Sequence, residues 1–308
     1  MDSPDLYYVR QQFTLGAWKT LTSLTPDPNS PDYTQTLLYQ ARAYIALNEP
    51  LKALDILDAD DSSLSIRAVR ALARYIAKDD AEKALEDLRD LCIEIEEEGV
   101  DEKEKGLVKV IAGTAFAREG EVEEALETLG AGTNNDNLDA AALTIQIYLS
   151  INRVDLAKRE CDRARKWAED DLLLQQIEAS IGLLTGKDSY SNPHSYYVEQ
   201  LHNPSIASGQ LLLSRGVTHL LRGELPEALS DFTQAEKGEN GVTADALAGK
   251  IAASELSGQR SEIEPLWTRL QQEYPQHLLV TNVSQKITEF DEAAAAFSVP
   301  PLAVASTA

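Results

Sequence analysis

One interval recurs along this chain. An aromatic residue or histidine is followed nine residues later by an alanine, five times: Tyr44 and Ala53, Tyr75 and Ala84, Phe116 and Ala125, Tyr148 and Ala157, His219 and Ala228. Four residues beyond each alanine stands a large side chain: Leu57, Leu88, Leu129, Cys161 and Phe232. Small and large residues at such intervals are what two helices need in order to pack closely across a short turn. A single helical hairpin cannot bury its apolar face alone, so five of them imply a stack.

The alanines are 31, 41, 32 and 71 residues apart. Tetratricopeptide-type repeats are helix–turn–helix units of about 34 residues, and these steps fit them. The last step holds one further unit, read at 172–186 and 194–202. The step of 41 contains an insertion, placed at the acidic run 94–106. A first hairpin is read at 7–24 around Gly16 and a last at 246–275 with Gly258 at the turn. In 211–236 Gly216 and Gly223 are read as flanking the end of a helix, and Pro226 as opening the next. The expectation is an all-α, right-handed α-solenoid of about eight tetratricopeptide-like hairpins over 1–280. A C-terminal capping helix follows at 281–297, anchored by Phe290 and Phe297, and a flexible tail at 298–308. Sixteen glycines and twelve prolines among 308 residues, with little β-branched alternation, agree with helices throughout.

Charge narrows the functions. A net charge of −23 leaves no basic footprint for phosphate backbones, so nucleic acid is not expected as a partner, nor direct adsorption to anionic lipid. Cys92 and Cys161 read as buried free thiols rather than a disulfide framework. The N-terminus lacks the pattern of a secretory signal, and no apolar run reaches the ~18 residues of a membrane span. A cytoplasmic protein is expected. Asn282-Val-Ser matches a glycosylation acceptor that has no use there.

Candidate chemical motifs dissolve on inspection. Gly182-Leu-Leu-Thr-Gly186-Lys187-Asp188 is one residue short of a phosphate loop, lacks the magnesium-binding hydroxyl and follows no strand; Gly186 reads as a helix cap. His194, His202, His219 and His277 are scattered. Of these only His194 and His202 look able to approach, without metal-ligand spacing. His219 occupies the repeat's aromatic position and reads as packing. With no nucleophile elbow and no distinguished carboxylate pair, neither catalysis, cofactor nor metal is expected.

The remaining signal is the face of the first helix in each unit. Residues six and two before the aromatic, and one and two after it, share an arc of roughly 100°. That arc carries Leu38, Arg42, Ile45, Val69, Ile76, Val110, Leu149, Leu213, Val217 and Leu220. So apolar a lining predicts either a groove filled by a lasting partner or a superhelix tight enough to bury its own interior.

Four segments together resemble a known family: FTLGAWKTLTSL (13–24), TLLYQARAYIAL (36–47), AALTIQIYLSINRVDLAKREC (141–161) and ITEFDEAAAAF (287–297). They look like the epsilon-subunit family of the COPI coatomer, most closely at Ile151, Arg153, Asp155, Leu156, Ala157 and Lys158. The stretch 188–210 departs most. The resemblance implies a non-enzymatic coat subunit that pairs with the C-terminal domain of the coatomer alpha subunit. It implies membrane contact only through the coat, a peripheral place on Golgi membranes and vesicles, and a role in Golgi-to-ER retrograde and intra-Golgi transport. The alternative is a free-standing adaptor or co-chaperone that binds peptides transiently; a basic rather than apolar lining would favour it.

Overall fold

The nine-residue interval has a local cause in the turn between paired helices. The computed structural model describes residues 3–133, 136–203, 207–237 and 242–297. After Tyr44, Phe116, Tyr148 and His219, the fourth residue (Asn48, Gly120, Asn152 and Gly223) adopts a left-handed conformation. The fifth residue's N–H then donates to the carbonyl of the aromatic or histidine itself, at 2.8, 2.9, 2.7 and 2.9 Å. This closes the first helix and reverses the chain, since glycine and asparagine tolerate a positive φ better than other residues. The alanine five residues past the turn is then in the second helix, facing the first. Ala53, Ala125, Ala157 and Ala228 are fully buried and Ala84 is 1 % exposed. No Cβ branch or longer side chain would fit there without separating the helices.

Repetition of this unit builds the molecule. The helices are α1 Pro4–Thr14, α2 Trp18–Thr22, α3 Tyr33–Ala46, α4 Pro50–Ile56, α5 Leu64–Ala77 and α6 Ala81–Glu94. There follow α7 Glu102–Glu119, α8 Val122–Thr128, α9 Leu138–Ser150, α10 Val154–Ala168 and α11 Leu172–Thr185. A 3₁₀ turn, Lys187–Tyr190, leads to α12 Ser191–Leu201, α13 Gly209–Arg222, α14 Leu225–Lys237, α15 Thr243–Leu256, α16 Arg260–Glu273 and α17 Leu278–Ala295. They pair in order as hairpins, with α17 left over, and no strand occurs among the described residues. Consecutive first helices pack on one another from α1 to α11, and each second helix up to α14 also touches the first helix of the next unit. The molecule is an all-α solenoid.

The local expectations need three corrections. The surplus in the 41-residue step does not loop out at 94–106. It lengthens α6 to 14 residues, against seven in α4 and in α8, and α7 to 18, against 14 in α5 and 13 in α9. Asp101 caps α7 by accepting from the N–H of Lys103, so part of the acidic run is helical. Gly216 is buried in the middle of α13, and Gly223 alone ends that helix. Phe290 and Phe297 anchor nothing: they are 71 % and 78 % exposed. The tail at 298–308 lies outside the described residues.

The chain also does more than stack neighbours. Leu15, 1 % exposed, packs with Ala179, Tyr196, Tyr197 and Leu211 on α11, α12 and α13. Ser208 donates its hydroxyl to the carbonyl of Leu15 at 2.6 Å, and Arg10 pairs with Asp171 at 3.0 Å. Gly16 lies so close to Gln210 that a Cβ there would stand 2.6 Å from the glutamine Cβ. The first hairpin therefore seats on units more than 150 residues downstream, and the solenoid curls onto its own beginning.

Candidate interaction surface

The inner row lies largely inside the protein. Leu38, Ile45, Val69 and Val110 belong to one core cluster, Leu149 to a second and Leu213 to a third; none is more than 9 % exposed. Ile76, Val217 and Leu220 are half-buried against the same clusters. Arg42 is also engaged. Its guanidinium stacks 4.5 Å from the Phe13 ring and 5.4 Å from that of Tyr39, and approaches Asp139 of α9 at 3.8 Å. The cause is the closeness of successive first helices, whose facing residues are small: Ala41, Ala68, Ala71, Ala112, Ala115 and Ala140 are all buried. Side chains expected to line an open groove meet the adjacent helix instead. Of the two outcomes anticipated for so apolar a lining, this is the tightly packed one.

The packing residues divide by role. Phe116 and Phe232 are fully enclosed. Tyr148 is buried, and burial raises its hydroxyl's pKa. Tyr44 and Tyr75 lie nearer the surface, where the Tyr75 hydroxyl donates to Glu119 at 2.8 Å. Burial first, and that bond second, push the Tyr75 pKa up to about 12. Cys161 is buried and Cys92 half-buried, on different helices. Burial pushes both thiols up to about 11, so neither is a reactive thiolate.

Exposed apolar surface collects instead at the C-terminal end. The base of α17 is held by Val280 and Leu279 against Leu247 and Leu270, and by a 2.9 Å contact from the His277 ring to Asp245. Every residue from Ser284 to Phe297 is exposed. Val283, Ile287, Phe290 and Ala294 recur at intervals of three and four and so share one face of this helix, with Phe297 just past its end. An amphipathic helix with its apolar face in solvent is what an unfilled interface looks like. No helix among the described residues is long and apolar enough to cross a membrane.

The histidines group differently from expectation. His194 meets His219 rather than His202, their rings 5.3 Å apart, and His219 bonds Glu224 at 2.6 Å. His219 is therefore part of a polar cluster as well as a packing residue. Nothing in the sequence spacing announces this, because the three residues come from two units.

The family model for the coatomer epsilon subunit matches residues 2–298, through all the hairpins and α17. The chain belongs to the coatomer epsilon family. Coatomer subunit epsilon-1 of Arabidopsis thaliana is 24 % identical over 303 residues, covering 97 % of this chain and 99 % of the relative. Coatomer subunit epsilon of Caenorhabditis elegans is 21 % identical over 293 residues, covering 94 % and 97 %. Among solved structures, a tetratricopeptide repeat protein from Parabacteroides merdae superimposes with a TM-score of 0.57 at 11 % identity, over 80 % of this chain and 96 % of that one. The APC/C hetero-tetramer Cut9–Hcn1 gives 0.59 at 13 % identity, over 94 % and 58 %. These similarities place the epsilon-family chain in the tetratricopeptide-like fold. As a coatomer subunit it works in association with other subunits of the coat.

Proposed function

We propose that this chain is a non-enzymatic structural subunit of the COPI coat, bound to the C-terminal domain of the coatomer alpha subunit and stabilising it. Through that partner it would sit on Golgi membranes and vesicles and serve retrograde and intra-Golgi transport. The observation that carries the reading is the extent of the family match, which spans the whole solenoid rather than one motif. A helix that holds its apolar stripe in water supports a lasting partner rather than a transient peptide. We place the contact on the stripe of Val283, Ile287 and Phe290, with the half-buried inner residues Ile76, Val217 and Leu220 as its second contributor. Fully burying a side chain such as Ile or Phe contributes about 1.5–3 kcal/mol, from which ordering costs are subtracted.

The test is co-expression with the alpha subunit's C-terminal domain, followed by gel filtration. The parent should elute as a complex. Ile287→Asp with Phe290→Asp should lose the partner while helicity stays at the parental level, because both positions are exposed. If that variant still binds and Ile76→Asp with Leu220→Asp does not, the inner face holds the partner. A parent that elutes alone, or as a dimer of itself, would count against the coat reading.

A further inference from the structure

We propose that His194, His219 and Glu224 form a binding site for a divalent transition-metal cation, zinc in the first instance. The three side chains come from α12, α13 and the turn before α14, and one donor atom of each lies within 4.8 Å of the other two. At zinc bond lengths, donors around a tetrahedral ion are roughly 3.3 Å apart, so side-chain torsions would draw the more distant donors in and part His219 Nδ1 from Glu224 Oε2, now 2.6 Å away. Two imidazoles and one carboxylate are a borderline-soft set, which suits zinc better than calcium or magnesium and leaves a fourth position for water.

The framework holds each donor in place. His194 follows Pro193, whose ring packs so tightly on Gly182 of α11 that a Cβ there would be 2.9 Å from the proline Cδ. The turn bond from the Glu224 N–H to the His219 carbonyl brings the Glu224 backbone beneath the imidazole. Arg222 donates to Glu224 Oε1 at 2.8 Å, leaving Oε2 turned toward His219 Nδ1. On the far side of that ring, Nε2 is 3.7 Å from Asp231 Oδ2. Asp231 is buried and gripped by Arg215 at 2.6 and 2.8 Å. The 3.7 Å from Nε2 to Asp231 is beyond a hydrogen bond, but a small shift of the ring toward Asp231 would place a carboxylate behind it, the arrangement that orients ligating histidines. The ion would tie α12 to the α13–α14 hairpin.

The test is calorimetric titration of the tag-free full chain with zinc chloride, repeated with cobalt(II) to read a tetrahedral absorption band. One equivalent should bind with micromolar affinity or better and raise the melting temperature. His194→Gln and Glu224→Gln should each weaken binding about tenfold or more. Both should keep the parental circular dichroism, and His202→Ala should bind like the parent. Absence of binding to the parent overturns the proposal, as does parental affinity in either site variant.

Discussion

Phe232 shows how a single residue sets the approach of three helices. It is fully buried on α14, and its ring faces two glycines, one on either neighbouring helix. A Cβ on Gly216 of α13 would lie 2.7 Å from the ring, and one on Gly249 of α15 also 2.7 Å. The pair Leu129 and Gly113 repeats half of this arrangement, where a Cβ on the glycine would lie 2.8 Å from the leucine. The interval of nine exposes Phe232 as the large residue of its unit but is blind to its glycine partners. Local rules read a glycine in a helical segment as a breaker, which puts Gly216 at a helix end. Packing decides otherwise. Gly249→Ala gains about 1 kcal/mol in intrinsic helix propensity and should nonetheless destabilise by about 1–3 kcal/mol through overpacking. Urea unfolding measures the sign. Adding Phe232→Leu should recover part of the loss, since the two positions touch and their effects are not additive. A stabilised Gly249→Ala variant would refute the wedge.

At the level of elements, helix ends are bound by residues the repeat pattern ignores. Glu236 near the end of α14 accepts from Lys250 of α15 at 2.8 Å and from Arg269 of α16, so one carboxylate joins three helices. Burial works to raise its pKa, but the bonds from Lys250 and Arg269 outweigh it and the net shift is downward. A carboxylate whose pKa is depressed on folding stabilises the fold above its unfolded value, about 4.3, and loses that contribution as pH falls through the folded value. Glu236→Gln should therefore melt below the parent at pH 7, and the gap should close as pH falls below about 4. Equal melting temperatures at pH 7 would remove the bracket from the account. Element existence was legible in five of the units because aromatic or histidine, alanine and large residue recur there at fixed intervals, and in the others from their position between or beside these. Element length was not: α6 and α7 absorbed their extra residues as helix, and acidic side chains are compatible with a solvated helix as readily as with a loop.

At the scale of the whole molecule, the repeat spacing describes each unit against the next and nothing farther. It therefore predicts a solenoid whose stability is a sum of neighbour interfaces. The contact of Leu15 with α11, α12 and α13 lies outside that description, because it recurs nowhere and leaves no period. The same limit explains why the inner row could be found but not placed: its arc follows from helical geometry, whereas its burial depends on how tightly successive helices curl. Leu15→Asp tests whether the seam holds the curl. Leu15 is 1 % exposed and packs among Ala179, Tyr196, Tyr197 and Leu211, none of which carries a positive charge, so a carboxylate there would be buried among apolar side chains. The cost should exceed the ~2–5 kcal/mol of truncating a buried leucine. That cost falls on the seam rather than on the neighbour interfaces of α3 to α10, whose clusters do not include Leu15. The first hairpin should then part from α11, α12 and α13 but stay on α3, to which Val9, Leu21 and Ala43 hold it, while most helices persist. Hydrogen exchange should show protection lowered on the two sides of the seam, over residues 10–17 and 208–214, and retained over 64–150. Small-angle scattering should report a larger radius of gyration at nearly unchanged circular dichroism. An unaltered radius with full protection of α1 would mean that neighbour packing alone sets the curvature and that the seam is a consequence of it.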